Sequence, residues 1–234
     1  MKHCSIELAG ETLWLLAGKA IYWPARKILL VADIHFGKAT AFRSLGVPVP
    51  HGTTSDNLQA LSHLLDGYAC EEIVFLGDFL HARAAARASA TLAAMQAWRA
   101  RHPALRLTLV RGNHDLHAGD PPASLGITMV DEPHRVGPFA LCHHPDLETD
   151  GYVLAGHVHP VFHLRAARET LRLPCFLLGP RRAMLPSVGA FTGGDAVKPT
   201  PGEAVCVVAD TAIFRVPGQG PDTVEYLVPS IKNQ

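Results

Sequence analysis

The sequence predicts an α/β fold that mixes strands and helices. Three observations carry that reading. Short apolar runs alternate with helical spacings through the first half of the chain. The second half holds short β-like runs between Pro- and Gly-rich turns, with no convincing long helix. Apolar runs in both halves also stop at polar side chains, and ligand sites of open α/β sheets gather outside the carboxyl ends of strands.

The elements follow in order. IEL (6–8), then Ala9-Gly10, then TLWLL (12–16) reads as a hairpin. AIYW (20–23) and KILLVA (27–32) are further strands. Residues 53–66 carry Leu58, Leu61, Leu64 and Leu65 at helical spacing, with Thr and Ser available as N-caps. EIVFL (72–76) is a strand, and 84–101 is an alanine-rich helix with Leu92, Met95 and Trp98 on one face. RLTLV (106–110) and the runs ending at Cys142 and Ala155 are strands, as are CFLLG, AVCVVA and AIFRV later on. Residues 189–203 read as a surface loop by composition. The 234 residues show no repeat and no clear linker, so the chain is taken as one domain, 1–234.

Composition excludes some classes. Hydrophobic residues make up 48%, enough for a sizeable core. Lys plus Arg equals Asp plus Glu at 21 each, so net charge gives no nucleic-acid or membrane footprint. The five cysteines are scattered without a CxxC pair, which reads as reduced thiols in a cytoplasmic protein. Glu7, Glu11 and Lys19 interrupt any signal-peptide apolar region, and no run approaches a membrane span.

The strand ends carry the chemistry. LLVA is followed by Asp33-Ile34-His35, IVFL by Gly77-Asp78, and TLVR by Gly112-Asn113-His114-Asp115. FALC is followed by His143-His144, and YVLA by Gly156-His157-Val158-His159. Glycines before Asp78, Asn113 and His157 let the backbone turn tightly. The pooled donors are carboxylates, an amide and imidazoles without thiolate, which suits Mn²⁺, Fe or Zn²⁺ in a catalytic role rather than structural zinc. Seven side chains (Asp33, His35, Asp78, Asn113, His143, His157 and His159) are too many for one ion and fit two, with Asp78 the best bridge. Two divalent ions against two aspartates leave about +2 in the cleft, which attracts a phosphate ester; such a pair also acidifies a bridging water for attack. Gly37-Lys38-Ala39-Thr40 lacks the upstream glycine of a phosphate-binding loop and reads as plain loop. Of the remaining histidines, His81 stands out because it lies three residues after Asp78.

DIH, GD, GNHD, a His after an apolar run, and GHVH, in that order, resemble the calcineurin-like metallophosphoesterase superfamily. DIHFGKATAFRSLGVPVPHGT, GDFLHAR and LPSVGAFTGG resemble the bacterial DNA ligase-associated branch more closely. The resemblance implies a β-sandwich of mixed sheets flanked by helices. It implies that Asp33, His35 and His159 hold one ion, that Asn113, His143 and His157 hold the other, and that Asp78 lies between. It implies His114 as the acid near the leaving oxygen; Asp115, a carboxylate next in sequence, is the group expected to orient His114 by accepting its second N–H. Where the superfamily's protein phosphatases carry GDxxDRG, this chain has His81 and Ala82, with Arg83 one place later, which favours a diester over a monoester. A His143-His144 doublet replaces the usual His-Gly; His143 takes the usual ligand position, with His144 the alternative. The branch further implies a nucleic-acid phosphodiesterase or nuclease in DNA repair, linked with a DNA ligase, a helicase and a nuclease-like protein. The alternatives are a phosphomonoesterase or cyclic-nucleotide diesterase, and a non-enzymatic scaffold, which the complete ligand set argues against.

Overall fold

The structure is a computed structural model and describes residues 3–44, 46–49, 52–82, 89–166 and 169–217. His51, Arg83, Arg87 and the first part of the helix expected over 84–101 lie outside these residues.

Two sheets face each other. In the first, β1 (His3–Leu8), β2 (Glu11–Leu16), β3 (Ala20–Trp23) and β4 (Ile28–Val31) form an antiparallel meander. Parallel strands β5 (Glu72–Leu76), β6 (Arg106–Val110) and β7 (Ile127–Val130) extend it from β4. The second comprises β8 (His134–Val136), β9 (Phe139–Cys142), β10 (Tyr152–Ala155), β11 (Val161–Ala166), β12 (Glu169–Leu178), β13 (Arg182–Met184), β14 (Ala204–Ala209) and β15 (Ala212–Arg215). Its order is β15-β14-β12-β13-β10-β9-β8, with β9, β10 and β13 parallel and β11 paired to β12.

Strand alternation sorts the core into layers. Leu13, Leu15, Leu30, Val74 and Leu76 point between the sheets and meet Phe139, Leu141, Leu154 and Phe176. Leu16, Leu29, Val31, Ile73 and Phe75 point the other way, onto the helices. Each leucine so buried contributes about 2 kcal/mol. Among the described residues the α-helices are α1 (Lys38–Ser44), α2 (Thr53–Gly67), α3 (Ser89–Arg101) and α4 (Asn113–Ala118). Leu58, Leu61 and Leu64 of α2 are buried as their spacing predicts, and Trp98 of α3 donates to Ser62 Oγ at 3.0 Å. No described helix is long and apolar enough to cross a membrane.

The expected architecture of mixed sheets flanked by helices is the observed one. Three local expectations change. Residues 37–40, read as loop, instead contain the start of a helix, Lys38–Ser44, just after Gly37 turns the chain at φ 76°. The N-cap of α2 is Gly52 in left-handed conformation, with no side-chain cap from Thr or Ser. In α3, Met95 and Trp98 are buried as expected, but Thr91 takes the buried place expected of Leu92.

Candidate metal centre

Parallel strands β4, β5 and β6 end side by side, and β9 and β10 end opposite them. The chain past each strand therefore converges on one edge of the sandwich. Backbone bonds continue the pairing there: His35 N–H donates to Asp78 O at 2.9 Å and Phe36 N–H to Phe79 O at 2.8 Å. The second sheet is tied across by His157 N–H to Asp33 Oδ2, 2.9 Å, and Ser187 Oγ to Asp33 O, 2.6 Å.

The local backbone is strained. Asp33, His35, Asp78, His157 and His159 all have φ between 48° and 69°. Non-glycine residues avoid that region at a cost of about 1 kcal/mol or more, and such strain collects at functional sites. The glycines act in two ways. Gly77 turns the chain at φ 80°, as its place before Asp78 predicts. Gly156 is needed for close approach: a Cβ there would fall 2.5 Å from Asp33 Oδ2.

All seven predicted ligands come together. Asp33, His35 and His159 form one group whose donor atoms lie within 4.8 Å of one another. His143 Nε2 sits 2.8 Å from Asn113 Oδ1 and 2.9 Å from His157 Nδ1, which gathers the second group. Asp78 lies between them, with Oδ2 3.7 Å from His35 Nε2 and Oδ1 3.5 Å from His143 Nε2.

The donor chemistry fits divalent ions. His143 Nδ1–H donates to Leu76 O at 3.1 Å, so Nε2 keeps its lone pair and faces that of Asn113 Oδ1 with no hydrogen to share. Asp33 Oδ1, His159 Nε2 and both ring nitrogens of His35 are buried without hydrogen-bond partners. Buried acceptors in that condition cost free energy that a cation would offset. Burial above all lowers His143 to about 4 and His35 to about 2, which keeps both imidazoles neutral, the form that binds metal. Burial pushes the Asp78 carboxyl up, opposed by the His114 N–H that donates to Oδ1 at 3.0 Å.

The neighbours of His114 differ from expectation. Its Nδ1–H donates to the carbonyl of His81 at 3.0 Å, not to Asp115. Both oxygens of buried Asp115 are committed to backbone: Oδ1 accepts from Phe79 and Leu80 at 2.9 and 3.2 Å, and Oδ2 from Gly112 at 3.0 Å. Successive residues of a helix diverge by about 100°, so adjacent side chains do not face each other. Asp115 is the third residue of α4 and reaches back to the N-cap N–H, as one half of a capping box does. His114 Nε2 points inward, 3.9 Å from Asp78 Oδ2.

His81 does reach the site, stacked on His114 at 5.0 Å between ring centroids and edge-on to His35 at 5.6 Å. His144 stands at the rim, 4.6 Å from the His157 ring, and its Nδ1 is held by Glu132 at 2.6 Å. Glu132 also accepts the N–H groups of His143 and His144 at 2.8 and 2.9 Å. No sequence signal marked Glu132. Cys142 is core, as its apolar neighbours predict.

A centre of buried carboxylates, imidazoles and an amide at the ends of parallel strands is that of a metal-dependent hydrolase of phosphate esters, and the comparisons agree. The family model described as calcineurin-like phosphoesterase matches residues 26–144. The crystal structure of a Pseudomonas putida nuclease, MPE, is 49% identical, covering 92% of this chain and 100% of that one at a TM-score of 0.82. YfcE, a phosphoesterase from E. coli, is 14% identical over 85% of this chain and 99% of that one, at a TM-score of 0.40. No curated protein sequence matches. The chain belongs to the calcineurin-like phosphoesterase family.

Proposed function

We propose that the chain is a dinuclear phosphodiesterase that cleaves nucleic acid. The observation that carries this reading is the position of Asp78, with one oxygen toward each of two donor groups. On this reading Asp33, His35 and His159 hold one ion, Asn113, His143 and His157 the other, and Asp78 bridges. His143 is the ligand of the doublet because it is fully buried among the other donors, whereas His144 is engaged by Glu132. Manganese is the proposed ion, on a donor set of oxygen and imidazole without thiolate.

When bound, the two cations supply positive charge to the phosphate oxygens and acidify a water. The chain's own residues do the rest. His114, fixed at Nδ1 by the His81 carbonyl, offers Nε2, when that nitrogen is also protonated, as the atom that passes a proton to the leaving oxygen. Asp115 positions His114 only indirectly, by fastening the turn at Gly112 to residues 79–80. The nucleic-acid substrate is supported by the 49% identity to a nuclease. A role in DNA repair beside a ligase, a helicase and a nuclease-like protein rests on the ligase-associated motifs 77–83 and 185–194. The five unpaired cysteines support a cytoplasmic setting, and the shared core between the sheets supports a single domain.

The test is metal-stripped protein reconstituted with Mn²⁺, Zn²⁺ or Fe²⁺ and assayed on bis(4-nitrophenyl) phosphate, 4-nitrophenyl phosphate and an oligonucleotide. Expected are two bound manganese ions per chain, faster diester than monoester hydrolysis, and strand cleavage. Asp78→Asn should abolish metal-dependent turnover while the metal-free variant keeps its fold. A strong preference for the monoester, or wild-type turnover by Asp78→Asn, overturns the proposal.

A further inference from the structure

The segment GAFTGG (189–194) plays no part in metal ligation, yet it is fastened to the ligand-bearing chain more firmly than a surface loop requires. Leu185 N–H donates to Ala155 O at 2.8 Å and Val188 N–H to Ala32 O at 3.0 Å. Ser187 Oγ donates to Asp33 O. Ala190 N–H donates to Oδ1 of buried Asn57 at 2.8 Å, and Asn57 Nδ2 donates to Ile34 O at 2.9 Å. Thr192 Oγ1 closes the turn on Gly189 O at 2.9 Å. The backbone before Phe191 is thus locked to the residues that present Asp33 and His35, and the turn after it closes back on Gly189.

What the loop holds up is an aromatic ring that closes no core. Phe191 is 40% exposed. It lines a small cleft with His35, Lys38, Thr53 and Thr192. One side of its ring meets Phe42 nearly perpendicular, at 5.9 Å between centroids. Phe42 in turn lies 5.8 Å from His81, and His81 is stacked on His114. The rings of His114, His81, Phe42 and Phe191 therefore form one continuous strip from the proposed proton donor outward. Leu171 and Phe214, also exposed, stand on strands β12 and β15 and belong to no such strip.

We propose that Phe191, supported by Phe42, is a stacking surface for a nucleobase of the substrate strand beside the reacting phosphate. A fixed, exposed aromatic face suits a planar base because every base has a π-face, and stacking of this kind needs no sequence-specific hydrogen bond. Because Phe191 shares its cleft with His35, a base close to the reacting phosphate reaches it on the same face of the centre. Lys38, half-buried in the same cleft, supplies a cation near the backbone phosphate. A base resting on Phe191 is not stacked in a duplex, so the occupant is an unpaired base. This inference rests on the nucleic-acid reading above.

The experiment compares cleavage of single-stranded oligothymidylate with that of an abasic strand of equal length and charge, in manganese. Wild-type protein should favour the base-bearing strand in kcat/KM by about tenfold or more, the scale of one stacked base. Phe191→Ala should bring that ratio close to one, Phe191→Trp should preserve it, and the melting temperature should not move. Phe191→Leu keeps apolar bulk without a π-face and should behave as the alanine variant does. If Phe191→Ala keeps the wild-type ratio, or loses equally on both strands, the stacking surface is refuted while the nuclease reading stands. If wild-type protein cleaves neither strand, the nucleic-acid reading itself fails and takes this inference with it.

Discussion

Asp115→Asn separates a structural aspartate from a catalytic one. The carboxylate accepts three backbone N–H groups, from Phe79, Leu80 and Gly112, and is buried. Asparagine keeps one oxygen for Phe79 and Leu80 but sets an NH₂ against the N–H of Gly112. One buried donor left without an acceptor costs about 1–3 kcal/mol. For a chain of this size that lowers the melting temperature by about 2–12 °C. Asp115→Ala leaves three buried donors unmatched and falls further. His114 stays fixed by the His81 carbonyl in either variant. Hence kcat of the folded variant should fall far less than the roughly 10²–10⁴-fold expected for loss of a proton donor in His114→Ala, and the shape of its pH–rate profile should not change. Thermal melts and steady-state kinetics on the same preparations decide the matter. An Asp115→Asn protein that melts like the wild type but loses as much kcat as His114→Ala would refute the reasoning and restore a direct pairing.

Three further outcomes follow from the same geometry. Gly156→Ala drives a Cβ to within 2.5 Å of Asp33 Oδ2, so metal titration should show at least one site weakened; full wild-type affinity at both sites would contradict the close approach. In chelator-treated protein, burial lowers His143 to about 4 from its ordinary 6.5, so the unfolded chain takes up the proton first. Stability is therefore highest above pH 6.5 and falls toward pH 4, by about 1.4 kcal/mol per pH unit from this group; denaturation midpoints that do not move between pH 7 and 5 would exclude it. Burial pushes the thiols of Cys142, Cys175 and Cys206 up to about 12 and Cys70 up to about 11. Iodoacetamide at pH 8 should leave these four unlabelled until the protein is denatured, and mass spectrometry would expose any native labelling of Cys175 or Cys206.

The convergence of the seven candidate ligands was legible because it follows from strand ends: short continuous apolar runs such as ILLV, FALC and YVLA announce buried strands, and the first polar residues beyond them mark where the chain leaves the sheet. β7, β8, β11 and β13 escaped: ITMV, HRV and RAM are runs of three or four residues, and VFHLRA interleaves polar with apolar residues and is only partly buried. The partner of His114 was misread for a different reason. Asp115 is adjacent in sequence, but α4 turns its side chain toward residues 79–80, and the carbonyl that replaces it belongs to His81, 33 residues earlier. The stapling of 185–194 to Asp33 and Asn57 spans 154 and 133 residues and has no local signature at all. Composition made that segment a loop; only its long-range bonds make it part of the centre.

The same bonds bear on the left-handed backbone of Asp33, one of five candidate ligands in that conformation. Each such residue is unfavourable on its own, so surrounding structure must over-determine it. At Asp33 that structure is visible: its carbonyl accepts from Ser187, its Oδ2 accepts from His157 N–H, and the flanking Ala32 carbonyl accepts from Val188. Strand pairing, the return loop and the second sheet thus hold Asp33 from three directions. A centre held in this way orients its donors before any ion arrives. That limits reorganisation on binding, and it leaves the buried, unpartnered lone pairs of Asp33, His35 and His159 as the main unfavourable feature for a cation to relieve.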